Sequence, residues 1–334
     1  MKKFILLLCI VVCSCKVEPK LLERNQSTGG VFGTSYSIIY MSDTELDYQK
    51  EIDSVFFAVD KSLSTYIPES DISKINSGDA TLQVDHMFKD VFELSRTIHK
   101  TTNGYFDPTV GTLVNAWGFG PGEEVAMDSI KVDSLLRYVG FDKVRMNSNG
   151  IVLKENPAIY FDFNAIAKGY AIDRVAVLMD NLGIENYLIE IGGEVVSKGI
   201  NTIKNKSWTV GIDNPESQNK REAKIAIKLE NRALASSGNY RKFRVDENTG
   251  EKYVHTVDPI TGFTKNSKTL GVTVLADNCA IADGYATAFM AMDLDLAQEI
   301  VKSDKSLDAY IIYVGKDGTV LEFMTQGFKR TILE

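Results

Sequence analysis

The 334-residue chain has little histidine, cysteine or tryptophan: three, four and two residues of each. Three of the four cysteines, Cys9, Cys13 and Cys15, fall within the first fifteen residues. If the leader is cleaved before Cys15 and that residue is lipid-modified, Cys279 is the one thiol left in the body of the chain. That shortage excludes an internal disulfide framework. With no HExxH and no paired CxxC, it also argues against a His/Cys zinc centre. Positive charge is not in excess either. There are 37 Lys and Arg against 45 Asp and Glu, a formal net charge of −8, which argues against nucleic acid as a main partner, since that demands a basic face. A G-x-S-x-G elbow and a P-loop are both missing. "GFGPG" (118–122) fails the spacing of a dinucleotide fingerprint and runs into "EEVAMD" instead of a helix.

What is there begins with the leader. "MKKFILLLCIVVCSC" carries Lys2 and Lys3, then an apolar run from Phe4 to Cys13. The run is shorter than the ~20 residues needed to span a bilayer and has the layout of a secretory signal peptide. Its end, "VCSC", resembles a lipobox, in which cleavage leaves Cys15 as a lipidated N-terminus; an ordinary signal cleaved nearby is the alternative. Residues 1–14 are therefore read as a lipoprotein signal, 15–28 as a flexible tether and 29–334 as one globular catalytic unit. Cys279 is expected to be a small buried apolar residue.

Periodicity supplies the elements. Strands are expected over 35–41, 158–164, 208–213, 223–229, 233–238 and 270–276, with hairpins over 186–199 about Gly-Gly and over 308–323 about Lys316-Asp317-Gly318. Helices are expected over 47–63, 86–104, 132–140 and 167–183 and in "NCAIADGYATAFMAM" (278–292). Hairpins outnumber strand–helix–strand units, so the fold class is α+β, with mixed or antiparallel sheets and packed helices.

Four clusters carry chemistry. In "FDFNAIAKGYAIDRV" (161–175) Asp162 precedes Lys168-Gly169 at a helix start, where backbone N–H groups and a lysine suit an anion such as phosphate. A solvated Asp and Lys at a loop would read the same way. In "YVHTVDPITGFT" (253–264) His255 precedes a rigid Asp258-Pro259 turn; a structural histidine is the plainer alternative. The other two histidines, His86 and His99, lie on the helix over 86–104 and are expected at the surface. "TNGYFDPTVGTLVNAWGFG" (102–120) has neither helical nor strand period and offers Tyr105, Phe106 and Trp117 to a flat ring, or plugs the core. Finally, Asp283 and Thr287 are four apart, hence one turn apart on one face of an otherwise apolar helix. Both are hard oxygen donors of the kind Mg²⁺ accepts. A capped turn and a back-bonded threonine are the alternative. A lone buried carboxylate costs several kcal/mol, so it needs a partner.

Taken together, the motifs "GTSY" (33–36), "LSTYIPESDISKIN" (63–76), "GYFDPTVGTLVNAWGFG" (104–120), "DFNAIAKGYAID" (162–173), "EIGGEVVSKG" (190–199), "SSGNY" (236–240), "HTVDPITG" (255–262) and "ADGYATA" (282–288) resemble, in order, the ApbE family of bacterial FAD:protein FMN transferases. The resemblance implies a T-fold-related unit with the flavin in a central cleft. It implies transfer of FMN from FAD to a Thr or Ser hydroxyl of an exported or membrane flavoprotein, releasing AMP, with Mg²⁺ as cofactor. Acceptors of this kind are subunits of Nqr- or Rnf-type redox complexes. Carried over to this sequence, it places metal ligands at Asp283, Thr287 and the Ala165 carbonyl. FAD contacts fall at Phe32, Tyr66, Tyr105, Phe106, Asp107, Asp162, Lys168 and His255, and catalytic roles at His255 and Asp283. Pairing of Lys168 with phosphate is inferred from its charge. A periplasmic FAD pyrophosphatase and a non-catalytic flavin-binding lipoprotein are the rival readings. The leader places the protein at the periplasmic face of a bacterial membrane.

Cys15→Ser is expected to move the protein from the membrane fraction to the soluble one while leaving its catalysis intact. Fractionation followed by immunoblotting checks this; a variant still sedimenting with membranes contradicts a single lipid anchor.

Overall fold

The structure, a computed structural model, describes residues 22–217, 222–238, 243–245, 252–264 and 268–333. The leader, Cys15 and Tyr240 of "SSGNY" lie outside the described residues. The chain enters through an antiparallel hairpin, β1 (Glu23–Val31) and β2 (Thr34–Ser42), in register from Glu23↔Ser42 to Val31↔Thr34. Residues 23–28, read as tether, are thus part of an edge strand. Their polarity hides the strand because the inward-facing residues, Asn25 and Ser27, are themselves polar. Asn25 donates to Ser42 Oγ at 2.7 Å and accepts from the Leu46 N–H at 2.8 Å, which satisfies its buried amide.

Next come α1 (Gln49–Leu63), α2 (Asp71–Asn76) and α3 (His86–Thr101). Ser70 and Asp85 cap α2 and α3, accepting from the N–H groups of Ser73 and Phe88. The stretch expected to be loop throughout, 102–120, contains the short helix α4 (Gly111–Ala116). Then follow α5 (Ser129–Leu136) and the small ladder of β3 (Val144–Met146) with β4 (Val152–Lys154).

Residues 158–164, expected to be a strand, join no sheet; Tyr160 makes a single bridge to Val110. The Asn76 side chain replaces a neighbouring strand, donating to the Phe161 carbonyl at 2.9 Å and accepting its N–H at 2.7 Å. Both phenylalanines are fully buried: Phe161 packs with Phe88, Phe92 and Phe141, and Phe163 with Phe88.

The second half runs α6 (Ala167–Asn181), β5 (Tyr187–Ile191), β6 (Glu194–Lys198), β7 (Trp208–Asp213), β8 (Ala223–Leu229), β9 (Ala233–Gly238), β10 (Phe243–Val245), β11 (Lys252–Val254) and β12 (Thr269–Ala276). It closes with α7 (Cys279–Ala291), α8 (Leu294–Ser303), β13 (Asp308–Val314), β14 (Val320–Met324) and α9 (Gln326–Lys329). Eight strands form one sheet in the order β1-β2-β5-β6-β9-β12-β13-β14, with every pairing antiparallel. Of the mixed or antiparallel α+β arrangements that the hairpin pattern implied, this is the antiparallel one.

The sheet is covered on both faces. Ala235, Val272 and Val274 turn toward α7, while their chain neighbours Leu234 and Leu275 pack with Ile212, Ile227 and Phe328 of β7, β8 and α9. Strand alternation therefore puts apolar residues on both sides of β9 and β12, and neither strand reads as amphipathic. α6 lies over β5 and β6, α7 over β9 and β12, and the two helices pack on each other. That pairing carries the site.

Replacing Asn76 by Ala strips both polar partners from the buried Phe161 backbone. An expected loss of about 2–4 kcal/mol follows from leaving two such groups unpaired, and urea denaturation measures it. A loss below about 0.5 kcal/mol would show that the bonds are replaceable.

Candidate active site

α6 and α7 approach until backbone meets backbone. A Cβ at Gly169 would stand 2.4 Å from the Cys279 carbonyl oxygen, so only glycine permits the contact. Small residues do the same for α7, where every residue except Ile281 and Thr287 is buried.

Two sets of hydrogen bonds join the helices. The Gly169 N–H donates to Asp283 Oδ2 at 3.1 Å. In the opposite sense Asp173 of α6 accepts from the N–H groups of Cys279 (2.7 Å) and Ala280 (2.8 Å), the first two residues of α7. Asn278 accepts from the next N–H, that of Ile281, at 2.9 Å. The start of α6 was expected to hold a phosphate through its N–H groups. The Gly169 N–H instead holds a carboxylate of the protein itself.

That bond also bears on Ala165. In a regular helical turn Gly169 would donate to the Ala165 carbonyl. Among the described residues no donor reaches that carbonyl, which leaves its lone pairs available.

Charge is concentrated here. Lys168 Nζ pairs with Glu194 Oε1 at 2.6 Å, and Glu194, at the start of β6, is 4% exposed. Burial by itself would lower the Lys168 pKa, but the carboxylates of Asp283 and Glu194 outweigh it and hold the ammonium above its ordinary value. Burial pushes Asp283 up to about 7; Lys168 works against that rise and Glu194 with it. Lys168, expected to meet phosphate, is thus engaged with protein carboxylates, because a half-buried ammonium beside two buried carboxylates offsets part of the cost of their charge.

One turn beyond Asp283, the half-buried Thr287 brings its hydroxyl to 3.4 Å from Ser237 Oγ. Asp283, Thr287 and the Ala165 carbonyl each offer a hard oxygen of the kind Mg²⁺ accepts. Among the described residues no three His, Cys, Asp or Glu side chains converge, so a cation held here relies on one carboxylate and neutral oxygens. Sequence reasoning assigned no role to Glu194 or Ser237. The available signal was a charge in the otherwise fully buried "EVVS" of β6.

The predicted flavin contacts differ in exposure. Phe106 is buried in the core beside Gly284 of α7, and Asp107 points inward. Asp107 Oδ1 accepts from the Thr109 N–H and hydroxyl, and Oδ2 accepts from the Phe141 N–H at 2.9 Å. Both side chains are buried, and Asp107 ties the 107–109 turn to Phe141. His99, expected at the surface, is partly buried under this loop with Nδ1 2.9 Å from the Phe106 carbonyl oxygen. Tyr105 is half-buried and Tyr66 is 61% exposed, so these two rings remain accessible.

Asp162 is buried, its backbone N–H bonds to the Pro108 carbonyl at 2.7 Å, and burial raises its pKa. The Tyr66 hydroxyl is held above its ordinary pKa by partial burial first and then by the Asp162 charge. Phe32 occupies the β1–β2 turn with φ +50°, edge-on to Phe56. His255 is half-buried directly after β11, ahead of the Asp258–Gly262 turn that Trp117 Nε1 pins by donating to the Gly262 carbonyl at 2.9 Å. The 102–117 segment thus borders both α7 and the His255 turn.

A sequence profile described as the ApbE family matches residues 32–311. A Haemophilus influenzae protein named FAD:protein FMN transferase is 31% identical over 96% of this chain and 94% of its own length. A Vibrio cholerae protein of the same name is 32% identical over 93% of each. Among solved structures, the flavin transferase ApbE from Vibrio cholerae superposes with a TM-score of 0.82 at 31% identity, over 93% of this chain and 99% of that one. The apo form of Pseudomonas stutzeri flavinyl transferase ApbE gives 0.80 at 26% identity, over 93% and 97%.

Because Asp283 rises from 3.8 to about 7 on folding, the folded protein keeps a proton that the unfolded chain loses across that window. Stability contributed by this group therefore falls as pH rises through it. In cation-free protein, Asp283→Asn keeps an acceptor for the Gly169 N–H without the charge. It is expected to exceed wild type by about 1–3 kcal/mol at pH 8, with the difference shrinking by pH 5. Urea titrations at both pH values check this; a difference independent of pH contradicts it.

Proposed function

The chain belongs to the ApbE family, and from that premise we propose that it is an FAD:protein FMN transferase acting with Mg²⁺. The FMN half of FAD is joined as a phosphoester to a Thr or Ser hydroxyl of a second protein, and AMP is released. The observation that carries this reading is the buried Asp283 carboxylate, held by the Gly169 N–H where α6 meets α7 and one helical turn before Thr287, in a chain that matches proteins of that name over nearly its whole length.

Each group has a part. Asp283, Thr287 and the Ala165 carbonyl hold the cation, which when bound neutralises charge on the linked phosphates and on the departing AMP. Gly169 aims the Asp283 carboxylate. Lys168 favours the charged form of Asp283, while Glu194 opposes it and leaves room for a further positive charge. Tyr66 and Tyr105 offer faces for a planar ring. His255, whose reference pKa is near 6.5, orients or deprotonates the acceptor hydroxyl. In the reaction the hydroxyl oxygen bonds to the phosphorus of the FMN half, the bond to the AMP oxygen breaks, and the hydroxyl proton is lost. Such transfer depends on positioning and electrostatics more than on covalent help from the protein.

The leader and the family together point to a partner outside the cytoplasm. Such a partner is a flavin-carrying subunit of an Nqr- or Rnf-type membrane complex, reached by an enzyme anchored through Cys15.

Incubation with FAD, Mg²⁺ and an acceptor domain, followed by denaturing electrophoresis, is expected to give a flavin-fluorescent acceptor band, lost with chelator or in Asp283→Ala. Free FMN without a band makes the protein a pyrophosphatase; unchanged FAD makes it a carrier.

A further inference from the structure

We propose that Asp173 is a positioning residue for the cation site: by gripping the first two N–H groups of α7 it fixes that helix on α6, and so fixes where Asp283 and Thr287 stand relative to Ala165. The inference rests on the reading of those three residues as cation ligands.

The geometry is specific. Both Asp173 oxygens are used, one on the Cys279 N–H at 2.7 Å and one on the Ala280 N–H at 2.8 Å. Asp173 is four residues after Gly169, so both lie on one face of α6, one turn apart. That single face therefore contacts α7 twice, through the Asp173 carboxylate and through the Gly169 N–H that holds Asp283.

Asn278, the cap on α7's own flank, accepts only from the Ile281 N–H, so the first two N–H groups, both in buried residues, need an acceptor from elsewhere. What Asp173 adds is a tie to a different helix. A carboxylate at a helix start is favoured by the helix dipole, yet burial pushes Asp173 up to about 6, so holding it charged is costly to the fold. Because this acceptor is drawn from α6 and not from α7's own flank, satisfying the helix start also fixes the position of one helix on the other. No phosphate contact competes for these N–H groups, because Asp173 and Asn278 have taken them.

The test is calorimetric titration of Mg²⁺ into the chelator-treated full chain with FAD present, with amide exchange followed at Cys279 and Ala280. Asp173→Asn keeps the shape, loses the charge and turns an amide toward one of the two N–H groups. It is expected to weaken Mg²⁺ binding roughly 10- to 100-fold, the effect typical of partners that orient ligands, and to speed exchange at both amides. Phe328→Leu, on the far face of the sheet, serves as a destabilised control and should bind Mg²⁺ within about twofold of wild type.

Cys279→Pro supplies a second variant should Asp173→Asn not fold. It deletes one of the gripped N–H groups at the first helical position, where proline is tolerated, and Asn278 before it is already extended, with φ −137° and ψ 161°. It is expected to weaken Mg²⁺ several-fold. Wild-type affinity in whichever folded variant is measured overturns the role of Asp173 and leaves the ligand assignment standing. A wild-type chain that does not bind Mg²⁺ overturns both.

Discussion

The site depends on a reciprocal grip between α6 and α7. Each helix gives the other what it lacks: α6 gives a backbone N–H to the Asp283 carboxylate, and α7 gives two backbone N–H groups to the Asp173 carboxylate. Glycine at 169 makes this possible by removing the one side-chain atom that would hold the helices apart. The small residues of α7 let it sink against β9 and β12 until Thr287 and Ile281 are its least buried residues. A carboxylate is thereby placed where water does not reach it, and its charge must be met by Lys168, by a backbone dipole or by a cation.

Around that grip the protein uses polar side chains as scaffolding in places where a sheet would be the simpler device. Asn76 pairs with the Phe161 backbone as a strand would. Asp107 ties Thr109 and Phe141 together from inside the loop, and Trp117 pins the turn after His255. Each of these residues fixes an irregular segment that borders α7 or the His255 turn. Irregular backbone can be placed more freely than a ladder allows, but every buried N–H and carbonyl then needs an individual partner. The loops around the cluster are built on that exchange.

Much of the fold was legible because hairpin turns, helix caps and apolar periods are local. β2, β5, β6, β12 and α7 stand within a residue or two of where their patterns put them. The failures share one cause. β1 was hidden because the residues it turns inward are Asn25 and Ser27, whose partners are brought by a distant turn. Residues 158–164 looked like a strand because burial on all sides produces the same apolar run whether the neighbours are strands or phenylalanine rings.

From the sequence alone came the antiparallel α+β class, the family resemblance and the one-turn spacing of Asp283 and Thr287, since a helix converts spacing into direction with no outside help. Tertiary structure decided which charges meet. Lys168 turned out to face Glu194 instead of standing free, Asp107 and Phe106 turned inward, and Asp173 became a tie between helices. Those outcomes depend on contacts between segments as much as 107 residues apart, and an electrostatic or hydrogen-bonding partner is chosen by distance in space, which no local pattern encodes.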